Sequence, residues 1–321
     1  MAKLTRRGAL ACGAAALLCG PALAQQGGRT MRLVVPFPPG GSTDALARML
    51  QARLQDMLGQ TTIVENMPGA ASALGAAHVA KSAPDGMTLL VTFDSHTVIP
   101  AMVPNPPLDI ERDLVPVSLV GTAPYVVATN RDKPYRTFAD VLAAAKARPR
   151  AVTYASVGIG TIGHLAMTLL AKRAGVEITH VPYRGGGPAM NDLLGGHVEL
   201  LCGSIALVAP QLGGQVRTVM QMGAQRLPML KDTPTAIESG FDGFEALAWW
   251  GVFAPAATPA DTLARLSAAV REALSERQIA TKLQESQQMT LLLTDSAAAI
   301  PFFARQTKLW GDVVRENNIK A

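Results

Sequence analysis

The chain has 321 residues, of which 49% are hydrophobic and 17% are charged, and its formal net charge is +5. This length and apolar content suffice to bury the cores of about two domains and exclude an intrinsically disordered protein. No basic patch with interleaved aromatic residues occurs, so we expect no nucleic-acid partner.

Residues 1–24 have the pattern of an export signal. Lys3, Arg6 and Arg7 precede a short apolar run, and a small-x-small triplet ends at Ala24. Removing this segment takes away three basic residues and no acidic ones, which leaves 26 basic and 24 acidic residues. We therefore expect a periplasmic protein that is cleaved near Ala24. The adjacent arginines leave general secretion and twin-arginine export both open.

After the signal, one cysteine remains, Cys202. An internal disulfide therefore cannot form in the mature chain, even in an oxidising compartment. No further apolar run reaches about 18 residues, so we expect no membrane-spanning helix.

Short apolar runs alternate with amphipathic patterns along most of the chain. This alternation is typical of βαβ units and predicts an α/β fold with mostly parallel sheets. The first series contains predicted strands at 31–35, 61–65 and 88–93, and predicted helices at 43–58 and 72–81.

Residues 100–124 are rich in proline and lack periodicity, and we interpret them as a connection into a second βα series that opens with a strand at 125–130. That series has predicted strands at 152–156, 178–183, 198–203 and 216–221, and predicted helices at 162–174 and 188–194.

The run AWWGVFAP at 248–255 has the pattern of a strand that returns to the first domain, and helices follow at 259–275 and 296–316. Two crossings predict a hinge near residues 124 and 248. One lobe would then comprise 30–124 and 248–321, and the other 125–247.

Three glycine-rich corners each connect a predicted strand to a predicted helix. The first corner is residues 36–41, with the sequence PFPPGG; the second corner is residues 156–164, SVGIGTIGH; the third corner is residues 183–192, YRGGGPAMND. Prolines fix the backbone in advance, and glycines leave it accessible. Amides at a helix N-terminus attract anions, and ligands of open α/β sheets lie outside the carboxyl ends of the strands.

Few full charges lie near these corners. The available donors are backbone amides and hydroxyl groups, including those of Ser42, Thr43, Ser156 and Thr161. Several such donors can hold a carboxylate, since a hydrogen bond to a charged acceptor contributes roughly 1.5–3 kcal/mol. Arg184 could add attraction or lie solvated at the rim.

The sequence supports an enzymatic function less well than it supports carboxylate binding. Gly158, Gly160 and Gly163 spell GxGxxG, the dinucleotide-binding fingerprint, but the next strand ends in Tyr183 and Arg184, with no acidic residue for the ribose. No GxSxG nucleophile motif occurs, and no histidines have metal-ligand spacing with a third donor. We expect no enzyme, no cofactor and no metal, while an exported dehydrogenase remains an alternative.

Six ordered motifs resemble those of one family across nearly the whole mature chain. They are VPFPPGGSTDALAR, ENMPGA, APDGMTLL, YASVGIGTIGHLA, HVPYRGGGPAMNDLLGGHVEL and WWGVFAPAATPAD. The chain is similar to the Bug-type extracytoplasmic receptors, the solute-binding components of tripartite tricarboxylate transporters. This resemblance implies a two-lobed type II periplasmic binding protein, or Venus flytrap, that binds a small carboxylate between its lobes and delivers it to membrane permease subunits.

Carried over motif by motif, the resemblance implies a set of ligand-binding residues. In the first lobe they are Phe37, Gly41, Ser42, Thr43 and Asp44. In the second lobe they are Ser156, Gly160, Thr161 and His164. Asp44 could equally be a helix cap, and His164 could equally brace its loop.

Two stretches depart from the family pattern. TFDSHTVIP replaces a Gly/Thr-rich loop, so Asp94, Ser95, His96 and Thr97 are candidates for setting ligand preference. Where relatives often have an aspartate and a Pro-Ser pair, this chain has Gly203 and Ala206-Leu207. An ammonium group on the ligand would lack an acidic partner there, so we expect a neutral-bodied, apolar or aromatic carboxylate. We expect a monomer, and a receptor that serves a sensor kinase stays open as an alternative.

Overall fold

The computed structural model describes residues 30–320, so the predicted signal segment lies outside it. Within that range the chain forms ten strands and ten α-helices. The strands are β1 (Met31–Val35), β2 (Thr62–Asn66), β3 (Thr88–Phe93), β4 (Leu114–Asn130), β5 (Thr153–Ser156), β6 (Thr179–Pro182), β7 (Leu200–Ser204), β8 (Val216–Gln221), β9 (Leu247–Pro255) and β10 (Thr290–Leu291). The helices are α1 (Ser42–Leu58), α2 (Ala73–Ala80), α3 (Ile99–Met102), α4 (Phe138–Ala147), α5 (Ile162–Ala174), α6 (Gly186–Leu194), α7 (Ile205–Val208), α8 (Ala260–Ser275), α9 (Arg277–Gln287) and α10 (Ser296–Glu316).

The sheet of the first lobe has the order β2-β1-β3-β9-β4, with β10 on the other edge of β4. Strand β1 is parallel to β2 and β3, whereas β9 is antiparallel to β3 and β4. Parallel neighbours end at the same edge of a sheet. The segments that follow β1 and β3 therefore emerge side by side.

Strand β4 continues from one lobe into the other. Its first part pairs with β9 as far as Pro124, and from Tyr125 onward it pairs with β7 and β8. The interpretation of residues 114–124 as part of an irregular connection was wrong. Burial on both faces removes the alternation expected of a strand, and a register shift next to Pro116 accommodates a residue that has no amide hydrogen.

The second lobe is built on the last part of β4. Strand β7 is antiparallel to β4 and parallel to β5, β6 forms the outer edge parallel to β5, and β8 covers the opposite edge of β4. Both sheets are thus mixed: the βα units are parallel as predicted, and the antiparallel pairs lie around β4 and β9. Strand β4 changes partners after Pro124, which pairs with Leu247 at the start of β9. We therefore propose lobe boundaries near residues 124 and 248.

The helices follow the apolar patterns of the sequence. In α1 the buried Leu46, Leu50 and Leu54 recur every four residues, and the helix ends at Gly59, whose positive φ closes the last turn. The sequence patterns gave no prediction of α4, which begins with a capping box at Thr137, or of α9. Among residues 30–320, no helix is long and apolar enough to cross a membrane.

Gly163 sets how closely α5 approaches β7. A Cβ atom on Gly163 would lie 2.5 Å from the backbone oxygen of Cys202. Any larger residue would force the helix away from the strand. The third glycine of the GxGxxG pattern therefore has a packing role in this chain.

Replacing Gly163 by alanine is expected to lower the free energy of unfolding by about 1–3 kcal/mol, because the added methyl overpacks this contact. Gly187→Ala is the matched control, since Gly187 is also helical and, apart from its chain neighbours and the backbone of its own helix, no atom of the described residues lies within 4 Å of the position that its methyl would take. The control should be unchanged or up to about 1 kcal/mol more stable. Urea unfolding measures the stability of both variants. Equal stability would contradict the packing role of Gly163.

Candidate functional site

The first corner is fastened from within by Asp44. Its carboxylate accepts hydrogen bonds from the amide of Gly40 (3.0 Å), from Arg48 (2.9 Å) and from Asn66 (3.0 Å). Asn66 also donates to the carbonyl of Phe37 (3.1 Å). Burial alone would raise the pKa of Asp44, but these hydrogen bonds outweigh it and hold the pKa below its usual value. Asp44 is therefore ionised and engaged in bracing the corner.

Free donors lie immediately beside this brace. The hydroxyls of Ser42 and Thr43, in the first turn of α1, form no hydrogen bond within residues 30–320. The first-turn amides of a helix also lack partners inside the helix. Gln287 of α9 fixes this turn by donating to the carbonyl of Ser42 (3.1 Å). The start of α1 thus presents uncommitted donors in a fixed position.

The second corner has its hydroxyls committed internally. Ser156 is fully buried, and its Oγ donates to the carbonyl of Gly158 (3.0 Å) and lies 2.7 Å from Nε2 of His180. Because the Ser156 proton is used in this way, Nε2 of His180 is the donor to Oγ. Thr161 Oγ1 donates to the same Gly158 carbonyl (2.8 Å). Both predicted ligand-binding hydroxyls shape the corner in this structure.

Two stacked histidines support the second corner. Nδ1 of His164 accepts the amide hydrogen of Gly160 (3.1 Å), and its ring lies on that of His180 with centroids 3.9 Å apart and planes 9° apart. His180 stacks in turn on Tyr154. Burial lowers the pKa of His164 to about 4; burial, together with the electrostatic effect of His164, lowers the pKa of His180 to about 4. Both rings are therefore neutral at neutral pH.

The segment after β3 brings the first lobe to the second. Tyr125, where β4 enters the second lobe, donates its hydroxyl hydrogen to buried Asp94 (2.8 Å). Burial raises the pKa of Asp94 to about 8, and the bond from Tyr125 offsets this only in part. A Cβ on Gly160 would lie 2.5 Å from the terminal methyl of Met102 in α3. The second corner therefore faces the first lobe at the edge where the first corner lies.

Two further predicted residues, Ser95 and Gly203, lie near these contacts. Ser95 follows Asp94, and its buried Oγ has no hydrogen-bond partner in the described part of the chain. Gly203 lies in β7, where an added Cβ would lie 3.0 Å from the Leu207 side chain, and a Cβ added at Gly186 would lie 2.6 Å from the same side chain. Leu207 thus makes the surface beside Gly186 and Gly203 apolar.

Sequence reasoning did not single out His180, Tyr125 or Met102 as contributors to the site. Each acts through a contact with a residue far away in the chain, so local spacing gave no signal. Arg184 of the third corner is exposed and forms no ion pair among the described residues.

Comparison with known proteins identifies the family of the chain. Residues 46–319 match the model of the tripartite tricarboxylate transporter family receptor. The chain belongs to this receptor family. It is 35% identical to Protein BugT of Bordetella pertussis over 295 residues, which cover 91% of this chain and 90% of BugT. The resemblance carried by the six motifs is confirmed.

Solved structures show the same fold. The periplasmic binding protein BugD is 30% identical, with a TM-score of 0.78 over 92% of this chain and 99% of BugD. A protein of R. palustris solved with adipate is also 30% identical, with a TM-score of 0.80 over 92% of this chain and 99% of its own. MatC of Rhodopseudomonas palustris, solved with bound malate, is 32% identical, with a TM-score of 0.77 over 89% and 99% of the two chains. The predicted two-lobed α/β fold of this receptor is confirmed.

The histidine stack predicts a specific pH dependence. The pKa of each ring is lower in the folded chain, about 4, than the usual value near 6.5, so the unfolded chain binds protons first as the pH falls. The two rings should therefore lower the free energy of unfolding from pH 7 towards pH 4, whereas Asp94, whose pKa is raised to about 8 in the folded chain, acts in the opposite direction. His180→Gln should reduce this decrease, because one of the titrating rings is gone.

Two measurements check this expectation. Urea unfolding at pH 7 and pH 5 compares the variant with the parent protein. NMR titration of the His164 and His180 ring protons should give midpoints below pH 5. Midpoints near pH 6.5 would show that neither ring is desolvated as the structure indicates.

Proposed function

We propose that this receptor captures a small organic carboxylate between its lobes, in the periplasm, and delivers it to the permease subunits of a tripartite transporter. The observation that carries the proposal is the unpaired state of the Ser42 and Thr43 hydroxyls, within residues 30–320, beside the first turn of α1. An anion bound there would satisfy these donors and the helix amides together. The adipate and malate bound to two related proteins support the same ligand class.

Affinity does not require a cationic side chain. Each amide or hydroxyl bond to a carboxylate contributes roughly 1.5–3 kcal/mol, so a few of them reach the roughly 8 kcal/mol of a micromolar complex. The internally bonded second corner and the fastened first corner lose little conformational entropy on binding. We infer that the protein binds its ligand without catalysing a reaction. It acts as a monomer whose two lobes close about β4 and β9.

The ligand is further proposed to lack an ammonium group. Asp44 has its oxygens occupied by Gly40, Arg48 and Asn66, and Asp94 is protonated for the most part at pH 7 and bonded to Tyr125. Neither carboxyl group is free to pair with an amine. The side chain of Leu207 beside Gly203 favours a ligand with an apolar body.

Ser42→Ala is expected to weaken carboxylate binding at least about tenfold, because it removes one charge-assisted hydrogen bond. Thr161→Ala should also weaken it, by loosening the second corner. Ser275→Ala, on the exposed end of α8, is the control and should bind like the parent protein. Isothermal titration with adipate and malate measures all three. Unchanged affinity in both site variants would count against these corners.

Malate and aspartate form a matched pair of probes, since they differ by a hydroxyl in place of an ammonium group. We expect malate to bind at least about tenfold more tightly, because the ammonium of aspartate would be desolvated without an acidic partner. Competition titration at pH 7 compares them directly. Aspartate or glutamate as the tightest ligand would overturn the ammonium-free assignment while leaving the carboxylate assignment intact.

A further inference from the structure

Asp94 places a buried carboxyl group at the junction of the two lobes. It follows β3 directly and so emerges beside the first corner, which follows the parallel neighbour β1. The residue is 2% exposed, and its Oδ2 accepts the hydroxyl hydrogen of Tyr125, 2.8 Å away, in the part of β4 that pairs with β7. The backbone amide of Ser95 also donates to this carboxyl group. Both of these hydrogen-bond donors are neutral.

The elements packed around Asp94 carry few charges. Strand β3, strand β9, helix α3 and residues 70–72 contain no charged side chain. Helix α10 packs against the same segment, and its charged side chains are exposed or bonded to one another or to Lys172: Arg305, Lys308, Asp312, Arg315 and Glu316. A negative charge on Asp94 would therefore have no cationic partner in the described part of the chain.

The other titratable groups near this carboxyl group are neutral. Burial lowers the pKa of His96, two residues further along, to about 3. Burial raises the pKa of the Tyr125 hydroxyl and that of the nearby Cys202 thiol well above their usual values. Between neutral and mildly alkaline pH, the charge in this cluster is therefore set by Asp94 alone.

Tyr125 connects Asp94 to the start of α5. A Cβ atom added at Gly163, in the first turn of α5, would lie 3.4 Å from the Tyr125 ring, and the hydroxyl of the same ring contacts Asp94. Asp94 thus lies one tyrosine ring away from the helix start at which the proposed carboxylate binds. Two negative charges this close, separated by protein rather than by water, repel each other.

We propose that ligand binding is coupled to a proton on Asp94: the cleft binds its carboxylate while Asp94 is neutral and binds it more weakly once Asp94 is ionised. Burial raises the pKa of Asp94 to about 8, so this change of charge occurs in mildly alkaline solution. Above that pH, the receptor takes up one proton from solvent as it binds its ligand. The inference rests on the proposed carboxylate cleft and concerns the regulation of that cleft.

Isothermal titration with adipate at about pH 6.5 and about pH 9.5 tests the coupling. Adipate is a dianion at both values, since ordinary carboxyl groups titrate near pH 4. We expect binding at least about tenfold weaker at the higher pH, because the ionised Asp94 must first be protonated. Titration at about pH 8.5 in two buffers of different ionisation enthalpy should show net proton uptake, and at about pH 6.5 almost none.

Three variants assign the proton to its residue. Asp94→Asn keeps the shape of the side chain and cannot ionise, so its affinity should be the same at both pH values. Tyr125→Phe removes a hydrogen bond that favours the ionised form, so affinity should be lost at a higher pH than in the parent protein. Asp232→Asn, at an exposed site without a hydrogen bond among residues 30–320, is the control and should keep the pH dependence of the parent. Circular dichroism at both pH values checks that each protein is folded.

Carbon NMR of the Asp94 carboxyl group reads the same coupling from the other side. Its titration midpoint should lie near pH 8 without ligand and at a higher pH with adipate, because coupling between two binding events is reciprocal. A midpoint near pH 4, or one that adipate leaves unchanged, would contradict the proposal.

The titrations separate the coupling from the proposed function. Equal affinity of the parent protein at both pH values, or an alkaline loss of affinity that Asp94→Asn retains, would overturn the coupling and leave the carboxylate cleft in place. If neither adipate nor malate binds at either pH, the proposed function fails and the coupling fails with it.

Discussion

Strand β4 belongs to both lobes, and this shared strand determines which loops of the receptor face each other. Up to Pro124 its amides and carbonyls bond to β9, and from Tyr125 they bond to β7 and β8. The helices after β1 and β5 therefore start on opposite sides of one strand junction. The contact of Tyr125 with Asp94 and that of Gly160 with Met102 lie at this junction. Movement about the proposed hinge would change these contacts.

The two corners of the proposed site differ in which of their donors are free. In the second corner, hydrogen bonds among Ser156, Gly158 and His180 consume the hydroxyls and set the backbone. In the first corner, Asp44 holds the backbone, so the hydroxyls of Ser42 and Thr43 remain available. A rigid corner with free donors binds an anion with little reorganisation. This division would let the proposed site hold a carboxylate although few full charges lie near it.

Much of the fold could be predicted from the sequence, because it depends on local periodicity and caps. Helix α1 was predicted from residue 43 and begins at Ser42, and the predicted helix at 162–174 matches α5. The first part of β4 could not be predicted, since its prolines resemble a connection and its burial on both faces hides the alternation. The roles of His180 and Met102 depend on packing across the chain, which no local pattern encodes. The corners could be predicted because proline and glycine determine the backbone conformation at their own positions.

The central claim is that one carboxylate group contacts the start of α1 and the start of α5 together. A crystal structure of the mature receptor with adipate tests it most directly. We expect carboxylate oxygens within about 3 Å of the Ser42 or Thr43 donors and of the first-turn amides of α5. A ligand bound away from both helix starts, or held by one lobe alone with the other turned aside, would contradict the account.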